Sequence, residues 1–366
     1  MTNNISINIL SGKSKYFNSY ALIYPFLRYR RELSDSGIES RIFQKINGAL
    51  TDCEILILDS KVFRNDWISN RESTINMIRA LTEGSHKTLW FNTGDSTGMI
   101  QDQVIDLVDR YYKNQLLRDR QSYRTSHYGG RSFTDFYFLN QHIRDQSEFW
   151  STTLSDEQIS KLRLSWNLGM NPCMDYWTGL KGRLYNSQVL LGTLHHKIPD
   201  PPTITKSKRN ITISARMSTN YPRATVAYQR STIIEALNSV GINTQKVHRK
   251  QYFSELGESK FAVSPFGWGE VCIRDFESIL NGCVLVKPDM SHVETWPDIY
   301  IDGTTYLSFP WNLEYFGDWV EETLFESNYR IDISVAALRQ YRSFIGPFGT
   351  EPFIEKIREL IVDLGL

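Results

Sequence analysis

The chain has 366 residues, 41% hydrophobic and 22% charged, and its 41 Lys and Arg are balanced by 41 Asp and Glu. These proportions exclude an intrinsically disordered chain and fit a globular protein long enough for two domains. Zero net charge supplies no global field for a polyanion, so no nucleic-acid partner is expected, and at most peripheral membrane contact.

The start, MTNNISINILSGKSKYF, lacks the basic and apolar stretches of a signal peptide, and no apolar run is long enough to cross a bilayer. A cytoplasmic protein is expected, working at the inner face of the membrane if its substrate is anchored there. Cys53, Cys173, Cys272 and Cys283 form no CxxC pair, which suits a reducing compartment and argues against a zinc knuckle.

In chain order, Ile5–Leu10 reads as a strand and Asn18–Ser34 as a helix. Ile38–Phe43 is a second strand. Cys53–Leu58 is a continuous apolar run, the mark of a strand buried on both faces of a parallel sheet. Arg71–Leu81 is helical and Lys87–Phe91 is the next strand. This alternation predicts a doubly wound sheet. Residues 109–150 are dense in Arg and Tyr and show neither period. Gln158–Leu164 and Trp166–Met170 read as a helix end and a turn. Leu194–Lys208, with its prolines and no periodicity, is expected to be the interdomain linker.

A second series then begins. Asn210–Ser214, Thr244–Val247, Lys260–Ser264, Val284–Lys287 and Thr305–Phe309 read as strands. Ala224–Leu237, Tyr252–Leu256, Val271–Leu280, Glu314–Phe325, Val335–Tyr341 and Pro352–Leu364 read as helices. The expected fold class is α/β, with two Rossmann-like doubly wound domains facing a cleft. The first spans 1–200 and the second 205–350, and the last helix, 352–366, packs back on the first domain.

The segment KFAVSPFGWGEVCIRDFESILNGCVLVKPDMSH, Lys260 to His292, has the layout of a ligand site. A strand runs out at Ser264, a loop carries Gly267 and Gly269, and a helix starts near Glu270. Ligands of open α/β sheets bind beyond the carboxyl ends of strands, where helix amino ends attract phosphate and glycines admit close approach. Arg274, one turn into the helix, suits a diphosphate, and Glu270 and Glu277 share a face on which hydroxyls can be held.

The run CIRDFESILNGCVLV resembles the donor-site signature of GT-B glycosyltransferases, especially exostosin-like ones, and of transferases that assemble bacterial polysaccharides. The resemblance covers about a tenth of the chain. It implies a transferase, of the hexosyl or a related class, moving a sugar from a nucleotide-sugar donor to a hydroxyl of a glycan, polysaccharide or lipid-linked acceptor. Arg274 and Glu277 inherit contacts to the nucleotide. Ser264, Gly269 and Glu270 line the same turn. Arg216, just past a strand, sits where the family often places a base against the donor phosphates, and Lys287 follows the next strand. Two glutamates separated by seven residues mark many retaining members; here Gly269 stands where the first would be, and the stereochemistry is left open.

The family generally works without a metal and no convincing DxD loop is present, so neither a metal nor another cofactor is expected. In the first half, Asp95 in the loop WFNTGDSTG is the first choice for a general base that deprotonates the acceptor, with Asp59 second. Lys113, Arg118 and Tyr123 are the expected acceptor-binding residues, on a basic and aromatic surface. His292 is a titratable candidate. No GxGxxG follows the first strand, which argues against a dinucleotide-dependent dehydrogenase.

Overall fold

The computed structural model describes residues 4–12, 17–84, 86–172, 209–322 and 330–366. The first sheet has the order β2-β1-β3-β4-β5-β7, made of Ile38–Phe43, Ile5–Leu10, Ile55–Asp59, Lys87–Asn92, Arg110–Lys113 and Leu162–Leu164. Every neighbouring pair is parallel. Its strands are apolar on both faces because both faces are covered. Ile55, Ile57, Leu89 and Phe91 enter one core, while Leu56, Leu58 and Trp90 enter the opposite one.

The second sheet repeats the plan with the order β12-β10-β9-β8, made of Tyr306–Phe309, Val284–Pro288, Ser259–Val263 and Ile211–Ser214, again all parallel. Leu285 points to one core, and Val284 and Val286 to the other. The chain is thus an α/β protein with two doubly wound parallel sheets, as its periodicities predict. The linker expected at Leu194–Lys208, the division at 200–205 and Cys173 lie outside the described residues.

Two strands join the halves. β6 (Gln115–Leu117) pairs antiparallel with β11 (Val293–Thr295), setting Leu117 opposite Val293 and Gln115 opposite Thr295. β6 comes from the stretch without periodicity, which also supplies β5 and the Ser132–Gln141 helix. That helix packs away from the first sheet: Phe133 and Tyr137 share a core with Val226, Phe266 and Phe276 of the second half.

Four expectations change, the first being that Leu162–Leu164, read as part of a helix end, is the strand β7. The helix expected over Asn18–Ser34 is two, Phe17–Arg28 and Arg30–Asp35. The buried Tyr29 stands at the joint, its hydroxyl donating to the Gly346 carbonyl at 2.8 Å. No strand forms at Thr244–Val247, because the Arg216 guanidinium takes the Asn243 and Gln245 carbonyls that a ladder would use. The helix expected at Val271 begins two residues later, at Ile273.

The last helix, Thr350–Asp363, does return to the first unit. Phe353, Ile357 and Leu360 are buried in the core formed by β1, β3 and β4. Phe353 meets Phe26 and Trp166 edge-on at 5.3 and 5.2 Å. The far end of the helix is clasped by Arg110 and Arg163, both on Asp363 at 2.8 Å. No described helix is long and apolar enough to cross a membrane. Because Phe353 is fully buried, Phe353→Ala is expected to lower unfolding stability by about 3–5 kcal/mol in urea titrations. A loss below about 1 kcal/mol would contradict the docked position.

Candidate functional site: a cationic cleft between the two sheets

The carboxyl ends of β3 and β4 in one unit and of β8 and β9 in the other feed loops that meet. The contact is tight at Gly269. A Cβ placed there would lie 1.2 Å from the Asp95 carbonyl oxygen, so no side chain is tolerated while the loops stay in place. Gln115 bridges the same loops: its amide donates to the Asp95 carbonyl, and its oxygen accepts from the Val271 amide at 3.2 Å.

Glu270 completes the joint. It is fully buried, and its carboxylate accepts from the Thr97 hydroxyl at 2.7 Å and the Thr97 amide at 3.2 Å. It therefore ties the two units together and does not line the cleft. This corrects its expected place on a ligand-facing side of the helix. The physical reason is that Glu270 precedes the helix, where the backbone turns its side chain toward the partner loop.

Beside this joint lies a cavity of about 580 Å³ lined by both units. That volume falls within the range of small-molecule sites, about 300–1,000 Å³. Five cations line it, Arg216, Arg230, Lys246, Arg249 and Arg274, against two carboxylates, Asp95 and Glu277. Tyr221, Tyr252 and Trp268 add aromatic wall, with Tyr221 and Trp268 5.4 Å apart edge to face.

The cations differ in how far they are already neutralised. Arg216 grips both oxygens of Glu255 at 2.7 and 3.0 Å and donates to two carbonyls at 3.0 Å, so its role is to brace the wall. Its expected place as a direct phosphate ligand is corrected on that ground. Arg249 lies 3.5 Å from Glu277, which is 9% exposed and lines the cleft. Among the described residues Arg274 donates to the Arg216 carbonyl, at 2.8 Å. Arg230, 5% exposed, donates to the Phe266 carbonyl at 2.8 Å and lies 4.9 Å from the Tyr221 ring. Among the described residues neither Arg230 nor Arg274 forms an ion pair with a carboxylate. Burial, and then the nearby Arg274, push the Arg230 guanidinium below its ordinary pKa. Two adjacent, partly desolvated guanidiniums without a counter-charge make a strong seat for an anion.

The helix amino end contributes less than its sequence implies. Asp275 sits in its first turn, fully buried, and accepts from the Cys272 amide at 3.0 Å, the Ser264 hydroxyl at 2.5 Å and the Tyr300 hydroxyl at 2.7 Å. Lys287, also fully buried, pairs with Asp275 at 3.1 Å. Ser264 and Lys287 are therefore corrected from donor contacts to members of a buried polar network behind the cleft. A carboxylate already occupies the end of the helix dipole.

Asp95 follows β4 on the loop of the first unit. It is exposed, lines the cleft, and accepts from the Asn18 amide at 2.6 Å; Asn18 also donates to the Thr93 carbonyl at 2.7 Å. Asp59, the second choice, is fully buried and accepts from the Gly12 amide, the Lys61 amide and the Thr93 hydroxyl, so it locks three loops together. Lys113, Arg118 and Tyr123 do not share one surface, since Lys113 and Tyr123 are buried and only Arg118 is exposed. Tyr123 is buried, donating to the Thr97 carbonyl at 3.1 Å. Arg118 reaches across to the Ser291 and Val293 carbonyls at 3.0 Å and reinforces the β6–β11 joint. His292 packs edge-on against Trp311 at 4.6 Å, and burial pulls its pKa below the usual range. Arg230 and Gln115 escape sequence reasoning. The one signal for Arg230 is a cation on the inward face of the Ala224–Ser239 helix, next to the buried Gln229.

No protein-family model matches the chain, and no curated protein matches it in sequence. Solved structures with a similar chain trace include a glycosyltransferase from Rickettsia africae, 10% identical over 99% of both chains with a TM-score of 0.49. Another is Anabaena HepE in complex with UDP-glucose, 8% identical over 97% of this chain and 99% of that one, with a TM-score of 0.47. At such identities the likeness concerns the trace and not the side chains of the cleft.

Lys113 offers a test of the joint. Its ammonium is fully buried and donates to the Met99 carbonyl at 2.9 Å. Burial lowers its pKa from 10.5 to about 7, with Glu270 opposing the shift. Above pH 7 the folded chain releases a proton that the unfolded chain keeps until about pH 10.5, so stability rises with pH across that window. Below pH 7 both states hold the proton and Lys113 adds no slope. From pH 7 to 8.5 the wild type is expected to gain about 1–2 kcal/mol on Lys113→Met in urea unfolding. A constant difference between the two proteins would contradict this burial.

Proposed function

We propose that the protein is a GT-B-type glycosyltransferase that binds a nucleotide-sugar donor in the cleft and transfers the sugar to an acceptor hydroxyl. The observation that carries this reading is the pair Arg230 and Arg274, unneutralised by any described carboxylate, in a cavity of about 580 Å³ between two parallel-sheet units. The donor's diphosphate supplies the missing charge. Arg274 and Arg230 hold it in the ground state and, more strongly, as negative charge builds on the leaving oxygen. Tyr221, Tyr252 and Trp268 offer flat surfaces for base or sugar, and Glu277 accepts from hydroxyls.

Asp95 faces this cationic wall from the other unit. In this reading its carboxylate takes the proton of the acceptor hydroxyl while the acceptor oxygen bonds to the anomeric carbon. The bond from that carbon to the phosphate oxygen breaks, and the nucleoside diphosphate leaves with its electron pair. Direct attack of this kind inverts the anomeric centre. Asn18, donating to both Asp95 and the Thr93 carbonyl, aims the base. The proposed acceptor is a glycan, a polysaccharide or a lipid-linked sugar, and the proposed workplace is the cytoplasm.

Two outcomes test the proposal. In calorimetry with UDP, Arg230→Ala and Arg274→Ala are each expected to weaken binding about 10–100-fold, the loss of one or two charge-assisted hydrogen bonds. Unchanged affinity in both would remove the basis of the donor site. Asp95→Asn is expected to keep UDP affinity within about twofold while transfer falls about 10²–10⁴-fold. Transfer at the wild-type rate would exclude Asp95 as the base.

A further inference from the structure

The first unit holds another cavity, of about 440 Å³, on the loops that follow β3 and β4. Its charged lining is Lys61, Arg64 and Arg71 against the single carboxylate Asp102. None of the ion pairs among the described residues involves Lys61, Arg64 or Arg71. The Arg71 guanidinium lies 5.4 Å from the Trp67 ring, a contact that orients it without neutralising it. Trp67, Ile68, Ile100 and Phe149 give the wall an apolar stretch, beside the polar Ser60, Asn92, Gln101 and Thr152. Ile68 is 80% exposed at the mouth, an uncovered aliphatic side chain beside uncompensated cations.

This cavity and the donor cleft share one loop. Gly94 lines the former and its neighbour Asp95 lines the latter. A molecule anchored in this cavity would therefore rest on the loop that carries the Asp95 carboxylate. The loop is rigid at that point, since Asn92 accepts from the Gly94 amide at 2.8 Å and donates to the Met99 carbonyl at 2.8 Å.

We propose that the Lys61–Arg64–Arg71 cavity binds an anionic group of the acceptor, a phosphate or carboxylate, next to an apolar portion that rests on Trp67 and Ile68. The identification as acceptor rests on the donor reading above, whereas the anion site stands on its own lining. Such a group comes from a lipid phosphate or from a soluble sugar phosphate. The positive lining matches the first atoms of either, and the apolar wall favours the lipid.

Calorimetry on the full chain tests this with octyl phosphate, glucose 1-phosphate and the uncharged octyl glucoside. The two phosphates are expected to bind at one site and octyl glucoside to bind at least about tenfold more weakly, the worth of a charge-assisted contact. Octyl phosphate binding ahead of glucose 1-phosphate assigns the lipid source; comparable binding assigns the soluble one; both results support the anion site. The double variant Arg64→Ala, Arg71→Ala, at two exposed positions, is expected to lose about tenfold or more for the phosphates while UDP affinity stays unchanged. Failure of both phosphates to bind the wild type, or equal binding in the double variant, overturns the proposal. Loss of UDP binding by Arg274→Ala is read separately, so the donor site and this one fail or stand independently.

Discussion

The two sheets do not meet across an open gap. Their loops interlock where Gly269 lies against the Asp95 carbonyl and Glu270 is buried on Thr97, and the rest of the site depends on that contact. It sets Asp95 of one unit across from Arg230 and Arg274 of the other. The contact is extended by the β6–β11 ladder, by Arg118 on the carbonyls of 291 and 293, and by Gln115 between the loops. The hydrogen bonds to this buried carboxylate are charge-assisted and are lost together when the joint opens, so they oppose its opening. The halves are therefore held in register by polar contacts with directional requirements, which fixes the cleft's geometry more narrowly than apolar packing alone.

Charge is distributed in two ways around this joint. At several places opposite charges are matched: Lys287 with Asp275, Arg216 with Glu255, and Arg110 and Arg163 with Asp363. Inside the cleft Arg249 is matched by Glu277, but Arg230 and Arg274 have no carboxylate partner among the described residues. Arg230 and Arg274 are braced by carbonyls and an aromatic ring, which orient a guanidinium but leave its charge in place. Arg230 and Arg274, braced by carbonyls and without a described carboxylate partner, fit the anion seat proposed above.

Much of the fold is legible in the sequence because parallel strands buried on both faces must be apolar throughout. ILILD and VLVKP carry that mark, and the apolar spacing of the last helix foretells its docking through Phe353 and Ile357. What escapes has a common cause. β6 and β11 are three residues each, too short to show a period, and their pairing is decided by a partner more than 170 residues away. Glu270, Lys113 and Tyr123 look like surface residues by type. Each is buried by the opposite half of the molecule or its loops, and a burial created by tertiary contact leaves no local trace. Asp95 is legible because it follows β4 closely, and Arg274 because it opens the helix after β9, where the topology itself places ligands. Arg230 lies in mid-helix, where a cation ordinarily faces solvent, and only the packing of the Ala224–Ser239 helix turns it inward.

The position of a bound diphosphate tests the central claim most directly. A crystal structure of the protein with UDP is predicted to show phosphate oxygens within hydrogen-bonding distance, about 2.7–3.2 Å, of both the Arg230 and Arg274 guanidiniums. The Glu270–Thr97 contact is predicted to remain intact in that complex. A diphosphate seated elsewhere on the molecule, with both guanidiniums still facing empty solvent, would contradict the account.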